Sequence, residues 1–403
     1  MTSVIIKLRH FVNPTFSTRT NWKLSLNLFT RAVQELQQKD GREVLDLTIS
    51  NPTRAGFEYD GTAILDSLRD RRALDYDPQP KGMLSARQGV ARYYCEQYPG
   101  VEPDPDSLIL TTSTSEAYSY IFRLLCNPGD EVLIAKPSYP LFEFLADLQD
   151  VKLVPYTLLY DHGWQIDFPS LRAAITSRTR AIVLVHPNNP TGSHVSDIER
   201  GGLNELCRER NLSLIVDEVF LDYPHDGHIR RTFATNQEVL TLTLSGLSKI
   251  SALPQMKAAW TVVSGPEESK RPALARLEVI ADTFLSMSAP VQLALPTLLE
   301  FRRKIQPSLM ERGLLNLREL DTQLVAQKSC QRLHIEAGWY AVMRIPAIQS
   351  DEETAIEILR KQSVLVHPGH FFDFPRDGFL ILSLITPPEQ FKEGISRVLA
   401  LLN

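Results

Sequence analysis

Short apolar runs alternate with longer amphipathic stretches along most of this chain. Seven runs predict buried strands, at residues 107–111, 131–135, 151–156, 181–185, 212–216, 239–244 and 258–263. Strands that alternate with helices predict an α/β fold, with a mainly parallel sheet covered by helices on both faces. Ligands of such sheets bind at the carboxyl ends of the strands, so the residues that follow each strand are candidates for function.

The two ends of the chain carry a different pattern. A helix is predicted at residues 22–36 and a short strand at 43–49. Beyond the helical stretch at 268–326, strands are predicted at 364–366 and 379–384, with a helix at 351–361. We expect a smaller α+β domain built from both ends of the chain. The predicted divisions are an N-terminal segment (1–55), a large cofactor-binding domain (56–290) and a small C-terminal domain (291–403).

Composition narrows the class of protein. The chain has 403 residues, of which 43% are hydrophobic and 23% charged, and no apolar run has the length of a membrane span. The net charge of -5, without a basic block, argues against a nucleic-acid partner and favours small-molecule ligands. Four cysteines without a CxxC pair predict neither a metal site nor a disulfide framework, and they fit a cytoplasmic protein.

Lys249 is the first candidate for chemistry. It follows the apolar run at 239–244 on a turn of small residues, with Leu247 and Ile250 beside its stem. Burial lowers the pKa of such an amine and makes it a nucleophile able to form a Schiff base. Lys257 adds a cation that can hold a phosphate. A surface turn with two solvated lysines fits the same sequence. Other segments are therefore needed to distinguish a catalytic lysine from an exposed one.

Four other strand ends carry candidate groups. Asp217 ends a fully apolar strand, where a carboxylate is costly unless it meets a cation or a strong donor. Thr114 and Ser115 open a helix whose free amides can cradle a phosphate, or they belong to an ordinary N-cap. Tyr139 can stack on an aromatic ligand or pack in the core. Asn189 lies in a loop fixed by two prolines and a glycine, which also fits a plain turn.

Together, these groups fit a planar pyridinium cofactor that bears an aldehyde and a phosphate, which is pyridoxal 5′-phosphate. The motifs Asn189-Pro-Thr-Gly192, Asp217-Glu-Val-Phe220 and Ser248-Lys249, in this order and with these separations, resemble those of class I/II aminotransferases, which are fold type I pyridoxal-phosphate enzymes. The resemblance extends over nearly the whole chain.

The resemblance implies a role for each motif residue. Lys249 forms the Schiff base with the cofactor and then carries the proton of the substrate, and Asp217 keeps the pyridine nitrogen protonated. The other implied cofactor-binding residues are Asn189, Tyr139, Thr114, Ser115, Ser245, Ser248 and Lys257. Tyr76 matches a tyrosine that reaches the phosphate of the neighbouring subunit, so a homodimer with sites at the interface is implied. The implied activity moves an amino group from an α-amino acid to a 2-oxo acid by a ping-pong mechanism.

Several positions depart from the family pattern. Ile381 stands where an arginine is expected to bind the α-carboxylate of the substrate, and Ser50 replaces a loop glycine. Phe220 replaces a tyrosine that often contacts the phenolic oxygen of the cofactor. Arg54, in the same turn as Ser50, is the first candidate to replace the missing arginine, and Arg344 is the second. Ser50 is a further candidate for substrate binding.

The missing arginine leaves other functions open. The amino donor can lack an α-carboxylate, or the fold can perform a lyase, decarboxylase or cyclase reaction with the same cofactor. A ligand sensor without catalysis is a further alternative, because this fold is also found fused to DNA-binding modules. The intact set of Lys249, Asp217 and Asn189 and the absence of a basic patch argue against a sensor.

Overall fold

The computed structural model describes residues 16–22, 24–39, 44–140, 142–227 and 231–402. The strands are β1 (Leu45–Asp46), β2 (Leu108–Thr111), β3 (Glu131–Lys136), β4 (Lys152–Tyr160), β5 (Trp164–Ile166), β6 (Thr179–Val185), β7 (Ser213–Asp217), β8 (Thr241–Gly246), β9 (Ala259–Ser264), β10 (Gln331–Arg332), β11 (Tyr340–Arg344), β12 (Val364–Leu365), β13 (His367–Pro368) and β14 (Phe379–Ser383).

The α-helices are α1 (Leu28–Lys39), α2 (Gly61–Ser67), α3 (Leu84–Gln97), α4 (Thr114–Leu125), α5 (Phe142–Asp147), α6 (Phe168–Ala174), α7 (Asp197–Arg210), α8 (Leu247–Ile250), α9 (Glu267–Phe284), α10 (Ala289–Glu300), α11 (Arg302–Val325), α12 (Asp351–Gln362) and α13 (Pro388–Leu402). Short 3-10 helices cover Thr18–Thr20, Pro52–Arg54, Arg71–Leu74, Pro105–Ser107, Pro254–Met256 and Gly369–Phe372. Across the described ranges, no helix is both long enough and apolar enough to span a membrane.

The large sheet has eight strands in the order β2-β9-β8-β7-β6-β3-β4-β5. The neighbours from β4 to β8 pair in parallel, whereas β9 is antiparallel to β8 and to β2 and β5 is antiparallel to β4. The predicted mainly parallel sheet is confirmed. The same edge of the sheet therefore contains the carboxyl ends of β2, β3, β6, β7 and β8. The residues that follow these strands lie near one another at this edge.

Alternation along β3 and β6 shows that both faces of the large sheet are covered. Val132 and Val183 are buried in one hydrophobic cluster with α4 and α9, whereas Leu133 and Leu184 are buried in another with α6 and α7. Successive side chains of a strand point to opposite faces, so each face has a core of its own. The long apolar runs in the sequence follow from this double burial.

The small domain is built around a four-stranded antiparallel sheet in the order β10-β11-β14-β13. The N-terminal part of the chain joins it, because β1 pairs in parallel with β12 and Leu47 is buried in the same hydrophobic cluster as Phe391. The predicted α+β module from both chain ends is confirmed. The division at residue 290 stays a prediction: in α10, Leu295 packs with residues of α3, whereas in α11, Ile305 joins the small-domain cluster.

Three predicted elements differ in detail. The first helix begins at Leu28, not at residue 22, because the Trp22 ring packs edge-on against Phe144 and its Nε1 donates to Asp147 instead. The predicted strand at 43–49 is limited to β1 in the described residues. Residues 1–15, 23 and 40–43 of the predicted N-terminal segment lie outside them. The predicted strand at 364–366 is two short strands, which pair with different partners on either side of Val366.

Candidate active site

A cavity of about 250 Å³ opens at the carboxyl ends of the parallel strands, between the large sheet and the small-domain sheet. Loops and helices of the large domain supply one wall, and β11, β13 and the 3-10 helix Gly369–Phe372 supply the other. The sequence-predicted residues that line it are Ser50, Thr114, Ser115, Tyr139, Asn189, Asp217, Ser248 and Lys249. The fold therefore brings most of the predicted site residues to one place.

Lys249 lies in α8, immediately after β8, and the apolar residues near it in the sequence are buried. Leu247, Ile250 and Leu253 are all buried. The amine Nζ lies 4.8 Å from the centre of the Trp339 ring. Burial lowers the pKa of Lys249 to about 8, and the charge of Asp217 opposes this shift. A substantial fraction of the amine is therefore neutral, and able to act as a nucleophile or base, near neutral pH.

Asp217 is the last residue of β7 and is buried. Its Oδ1 accepts a hydrogen bond of 3.1 Å from the Val219 amide, and its Oδ2 accepts one of 3.3 Å from the Tyr118 hydroxyl. Burial raises the pKa of Asp217 to about 6, and these bonds together with the charge of Lys249 limit the increase. The carboxylate remains mostly ionised at neutral pH and can bind a protonated nitrogen.

Asn189 is held by the loop that follows β6. The neighbouring Asn188 donates hydrogen bonds of 3.2 Å to the Pro137 carbonyl and 2.9 Å to Thr191 Oγ1. Gly192 closes the loop with a φ of 68° and accepts a 2.9 Å bond from the Ala337 amide of the small domain. Asn189 is buried, and its Oδ1 has no hydrogen-bond partner within the described residues. The Asn189 side chain also lines the cavity, where its amide can contact a ligand.

The amino terminus of α4 lies at the cavity. Ser113 caps the helix by accepting a 3.2 Å bond from the Glu116 amide, and Thr114 and Ser115 form the first turn. These two residues line the cavity together with Ser248 of α8. Unpaired amides at a helix amino terminus, next to hydroxyl groups, form an anion-binding site. The arrangement fits a phosphate.

Five predicted residues are outside the cavity lining. Ser245 is buried in β8, with its Oγ unpaired in the described part of the chain, and Lys257 is exposed at a φ of 53° just before β9. Tyr76 is 85% exposed and lines a different depression, beside Gly82 and Met287. Arg54 and Arg344 are exposed as well. Arg344 ends the strand that Tyr340 begins, which separates the two by about 13 Å at the usual rise of a strand.

The sequence pattern predicted neither the aromatic wall of the cavity nor the partner of Asp217. Tyr118 lies one helical turn after Thr114, a spacing that places both on one face of α4. The other cavity residues that it missed include Phe142, Leu145, Tyr340, His367, Phe371 and Phe372. Those from the small domain meet Lys249 only through contacts between residues far apart in the chain, for which the sequence carries no local signal.

Comparison with known proteins gives a consistent result. The family model described as aminotransferase class I and II matches residues 7–398. A glutamate-pyruvate aminotransferase (AlaA) of Haemophilus influenzae is 28% identical over 374 residues, covering 91% of this chain and 92% of that protein. An alanine aminotransferase of Mycobacterium tuberculosis is 29% identical over 369 residues, covering 90% of this chain and 86% of that protein.

Solved structures share the same architecture. An aminotransferase from Escherichia coli superposes with a TM-score of 0.81 and 25% identity, over 93% of this chain and 94% of that one. An alanine aminotransferase from Pyrococcus furiosus has a TM-score of 0.82 and 24% identity, over 93% of this chain and 95% of that one, and supports the fold alone. The similarity extends through both domains.

Proposed function

This chain belongs to the class I and II aminotransferases, and we propose that it moves the amino group of an α-amino acid to a 2-oxo acid with pyridoxal 5′-phosphate as its cofactor. The observation that carries the proposal is the pair formed by Lys249 and Asp217. A buried amine with a lowered pKa and a buried carboxylate face one cavity, and each shifts the pKa of the other. Perturbed groups of this kind concentrate at catalytic sites.

The residues of the cavity fit the proposed cofactor. Its aldehyde requires a neutral amine, which Lys249 supplies, and its pyridine nitrogen requires an anionic partner, which Asp217 supplies. The Nδ2 of Asn189, which lines the cavity, is a suitable donor for its phenolic oxygen. Its phosphate requires an anion site, which the amino terminus of α4 provides with Thr114 and Ser115. When bound, the cofactor withdraws electrons from the Cα of the amino donor.

The protein residues hold and move protons in this proposal. Lys249 takes the proton from the Cα of the donor, since its pKa near 8 permits both the neutral and the charged form at working pH. Asp217 keeps the proton on the pyridine nitrogen, and Tyr118 and the Val219 amide orient the carboxylate. Small-domain residues line the same cavity as Lys249 and shield part of it from water.

The remaining proposed cofactor contacts are of two kinds: residues that line the cavity, and residues assigned only by the family resemblance. Tyr139 lines the cavity, where its ring is placed to stack on a planar ligand, and Ser248 adds a hydroxyl to the phosphate site. Ser245 and Lys257 are outside the cavity lining, so their assignment to the phosphate rests on the family resemblance alone. The exposed Tyr76 is assigned to the phosphate of a neighbouring subunit on the same basis.

The substrates and the assembly are also part of the proposal. Two of the relatives are named as glutamate-pyruvate and alanine aminotransferases. The first substrate pairs to test are therefore L-alanine with 2-oxoglutarate, and L-glutamate with pyruvate. A homodimer with its sites at the interface is supported by the exposed position of Tyr76. A cytoplasmic location is supported by the four cysteines, all free in the structure.

The test measures amino transfer directly. Purified protein supplied with pyridoxal 5′-phosphate is given a panel of L-amino acids with pyruvate or 2-oxoglutarate, and the new amino acid is quantified. We expect transfer by the wild type and a loss of at least about 1,000-fold in Lys249→Met, because the proton carrier is removed. Lys328→Met changes an exposed lysine and serves as the matched control. Binding of the cofactor without any amino transfer would overturn the proposal.

The alternative activities have distinct products. Elimination, decarboxylation or cyclisation would release ammonia or carbon dioxide, or a ring, from the amino acid without any 2-oxo acid. A non-catalytic sensor would bind amino acids without forming a product. The relatives named as aminotransferases do not favour these alternatives. Repeating the assay without the acceptor, and measuring ammonia, carbon dioxide and the remaining amino acid, distinguishes them, since only transamination requires the acceptor.

A further inference from the structure

An α-amino acid bound for reaction with Lys249 must place its carboxylate in the same cavity, because the carboxylate is attached to the reacting Cα. The wall opposite Lys249 belongs to the small domain. Polar side chains on that side are Tyr340 and His367, with Ser50 beside them. Phe371 and Phe372 complete this wall and cannot pair with an anion. The candidates on this wall for binding the carboxylate are therefore Tyr340, His367 and Ser50.

The register of the small sheet places His367 next to Ile381. His367 of β13 is the direct partner of Ile381 in β14, which in turn pairs with Val342 of β11. Directly opposed residues of antiparallel strands point to the same face. Ile381 is fully buried and apolar and cannot bind a carboxylate. The imidazole is therefore the polar group beside the position where the family pattern has an arginine.

His367 lines the cavity and carries an unsatisfied ring nitrogen within the described residues. Its Nδ1 is buried and has no hydrogen-bond partner within the described ranges. The ring lies 6.1 Å from that of Phe371 and 5.8 Å from that of Phe372, which fix its position. Burial lowers the pKa of His367 to about 4, although Asp46 acts in the opposite direction. At neutral pH the ring is uncharged and keeps one N–H donor.

Tyr340 supplies a second donor on the same face. It begins β11 and is buried, and it lines the cavity together with Ser50. Burial raises the pKa of Tyr340, so its hydroxyl remains protonated at working pH. The two arginines considered from the sequence, Arg54 and Arg344, are exposed and lie outside the cavity lining. Two uncharged donors therefore face the cavity where a single guanidinium was expected.

We propose that His367 binds the α-carboxylate of the amino donor through an imidazole N–H, assisted by the Tyr340 hydroxyl, in place of the arginine that Ile381 replaces. This inference rests on the proposed function and names the carboxylate subsite within it. Uncharged donors bind a carboxylate less strongly than a bidentate guanidinium does. The enzyme therefore discriminates less between an amino acid and the amine that lacks its carboxylate.

The experiment compares two donors in three variants. The donors are the best L-amino acid and the amine in which hydrogen replaces its carboxylate. We expect His367→Phe to lower kcat/KM for the amino acid by about 10- to 100-fold, the effect of losing a hydrogen bond to a charged group. The amine should change by less than about threefold. His367→Gln keeps an N–H donor and should recover part of the loss. His370→Phe changes a nearby histidine outside the cavity lining and should behave like the wild type.

A binding measurement does not depend on turnover. Propionate, a carboxylate without an amino group, is titrated by calorimetry into the wild type and the His367→Phe and His370→Phe variants, each loaded with pyridoxal 5′-phosphate. We expect propionate affinity to fall about 10-fold or more in His367→Phe alone. Equal affinity in all three proteins, or no binding to the wild type, would overturn the inference. If propionate binding depends on His367 but no amino acid is converted, the proposed function fails while the carboxylate subsite stands.

Discussion

Tyr118 donates a hydrogen bond to Oδ2 of Asp217, over 3.3 Å, and so connects α4 to the end of β7. Tyr118→Phe removes this donor, and the pKa of Asp217 should rise above its value of about 6. More of the carboxyl group is then protonated at pH 6 to 7, where it cannot hold a pyridinium. We expect the dissociation constant of pyridoxal 5′-phosphate to increase by about 3- to 10-fold there, as measured by fluorescence titration.

The pH dependence of this effect provides its control. Above about pH 8, Asp217 is ionised in both proteins, so the difference in cofactor affinity should become smaller. Tyr120→Phe removes a hydroxyl on the same helix that bonds with Ser286, at 3.0 Å, and does not line the cavity. It should leave cofactor affinity unchanged at every pH. A loss that is equal at pH 6.5 and pH 8.5 would contradict the proposed link to the ionisation of Asp217.

Reactivity of Lys249 should follow its lowered pKa. In the protein without cofactor, the rate of acetylation of this amine, measured by mass spectrometry after short exposure, should increase with a midpoint near pH 8. Asp217→Asn removes the carboxylate that raises this pKa, so the midpoint should move to a lower pH. Asp373→Asn, which removes a carboxylate paired with Lys136 instead, should leave it in place. A midpoint near pH 10 in the wild type would show that the amine is solvated.

These groups show how much of the site the sequence predicts. Lys249, Asp217 and Asn189 follow apolar runs that the double-sided burial of the large sheet requires, and the carboxyl ends of parallel strands meet at one edge. The local sequence pattern was therefore sufficient to predict that these three residues lie in one site. For the large domain, the position of a residue directly after a predicted strand was enough to identify it as a site candidate.

The small-domain wall could not be predicted in the same way. His367 and Tyr340 line the cavity because of the register of β11, β13 and β14. β13 has only two residues, too few to show an alternation in the sequence. The predicted strand at 364–366 ended one residue before β13 begins, so His367 was assigned to no element. A shift of one residue in a strand moves every side chain to the opposite face, and only the packed structure decides the register.

Stability without the cofactor should increase when Lys249 is replaced. The pKa of this lysine falls from 10.5 in the unfolded chain to about 8 in the folded one, so unfolding takes up a proton between these values. Its contribution to stability is present above pH 10.5 and is lost as the pH falls through 8. Lys249→Met removes this buried charge and should raise the free energy of unfolding at pH 7 by about 1–3 kcal/mol. The gain is limited because Asp217 loses the nearby cation that favours its ionised form.

Chemical denaturation at several pH values checks this prediction. The gain in Lys249→Met over the wild type should decrease from pH 7 toward pH 10, where the wild-type amine is neutral as well. Lys328→Met, at an exposed lysine, should change stability by less than about 0.5 kcal/mol. A destabilised Lys249→Met protein would indicate that contacts with Trp339 and Phe220 outweigh the cost of burying the amine.

Gly192 should tolerate no side chain. Its φ of 68° is strained for other residues, and an added Cβ would lie 2.3 Å from the Ala337 carbonyl oxygen and 2.5 Å from Cγ1 of Ile335. Gly192→Ala must therefore separate the loop that follows β6 from the small domain. We expect a loss of about 3 kcal/mol or more in the free energy of unfolding, from steric overlap together with backbone strain.

Gly227→Ala separates these two causes. Gly227 has a similar φ of 74°, but an added Cβ there meets nothing within 4 Å in the described structure. It should lose only about 1 kcal/mol, the cost of the backbone conformation. Gly192→Ala should also weaken cofactor binding, since the displaced loop carries Asn189, whereas Gly227→Ala should not. Equal losses of stability in the two variants would mean that the loop moves freely and that the contact with Ala337 does not hold Asn189 in place.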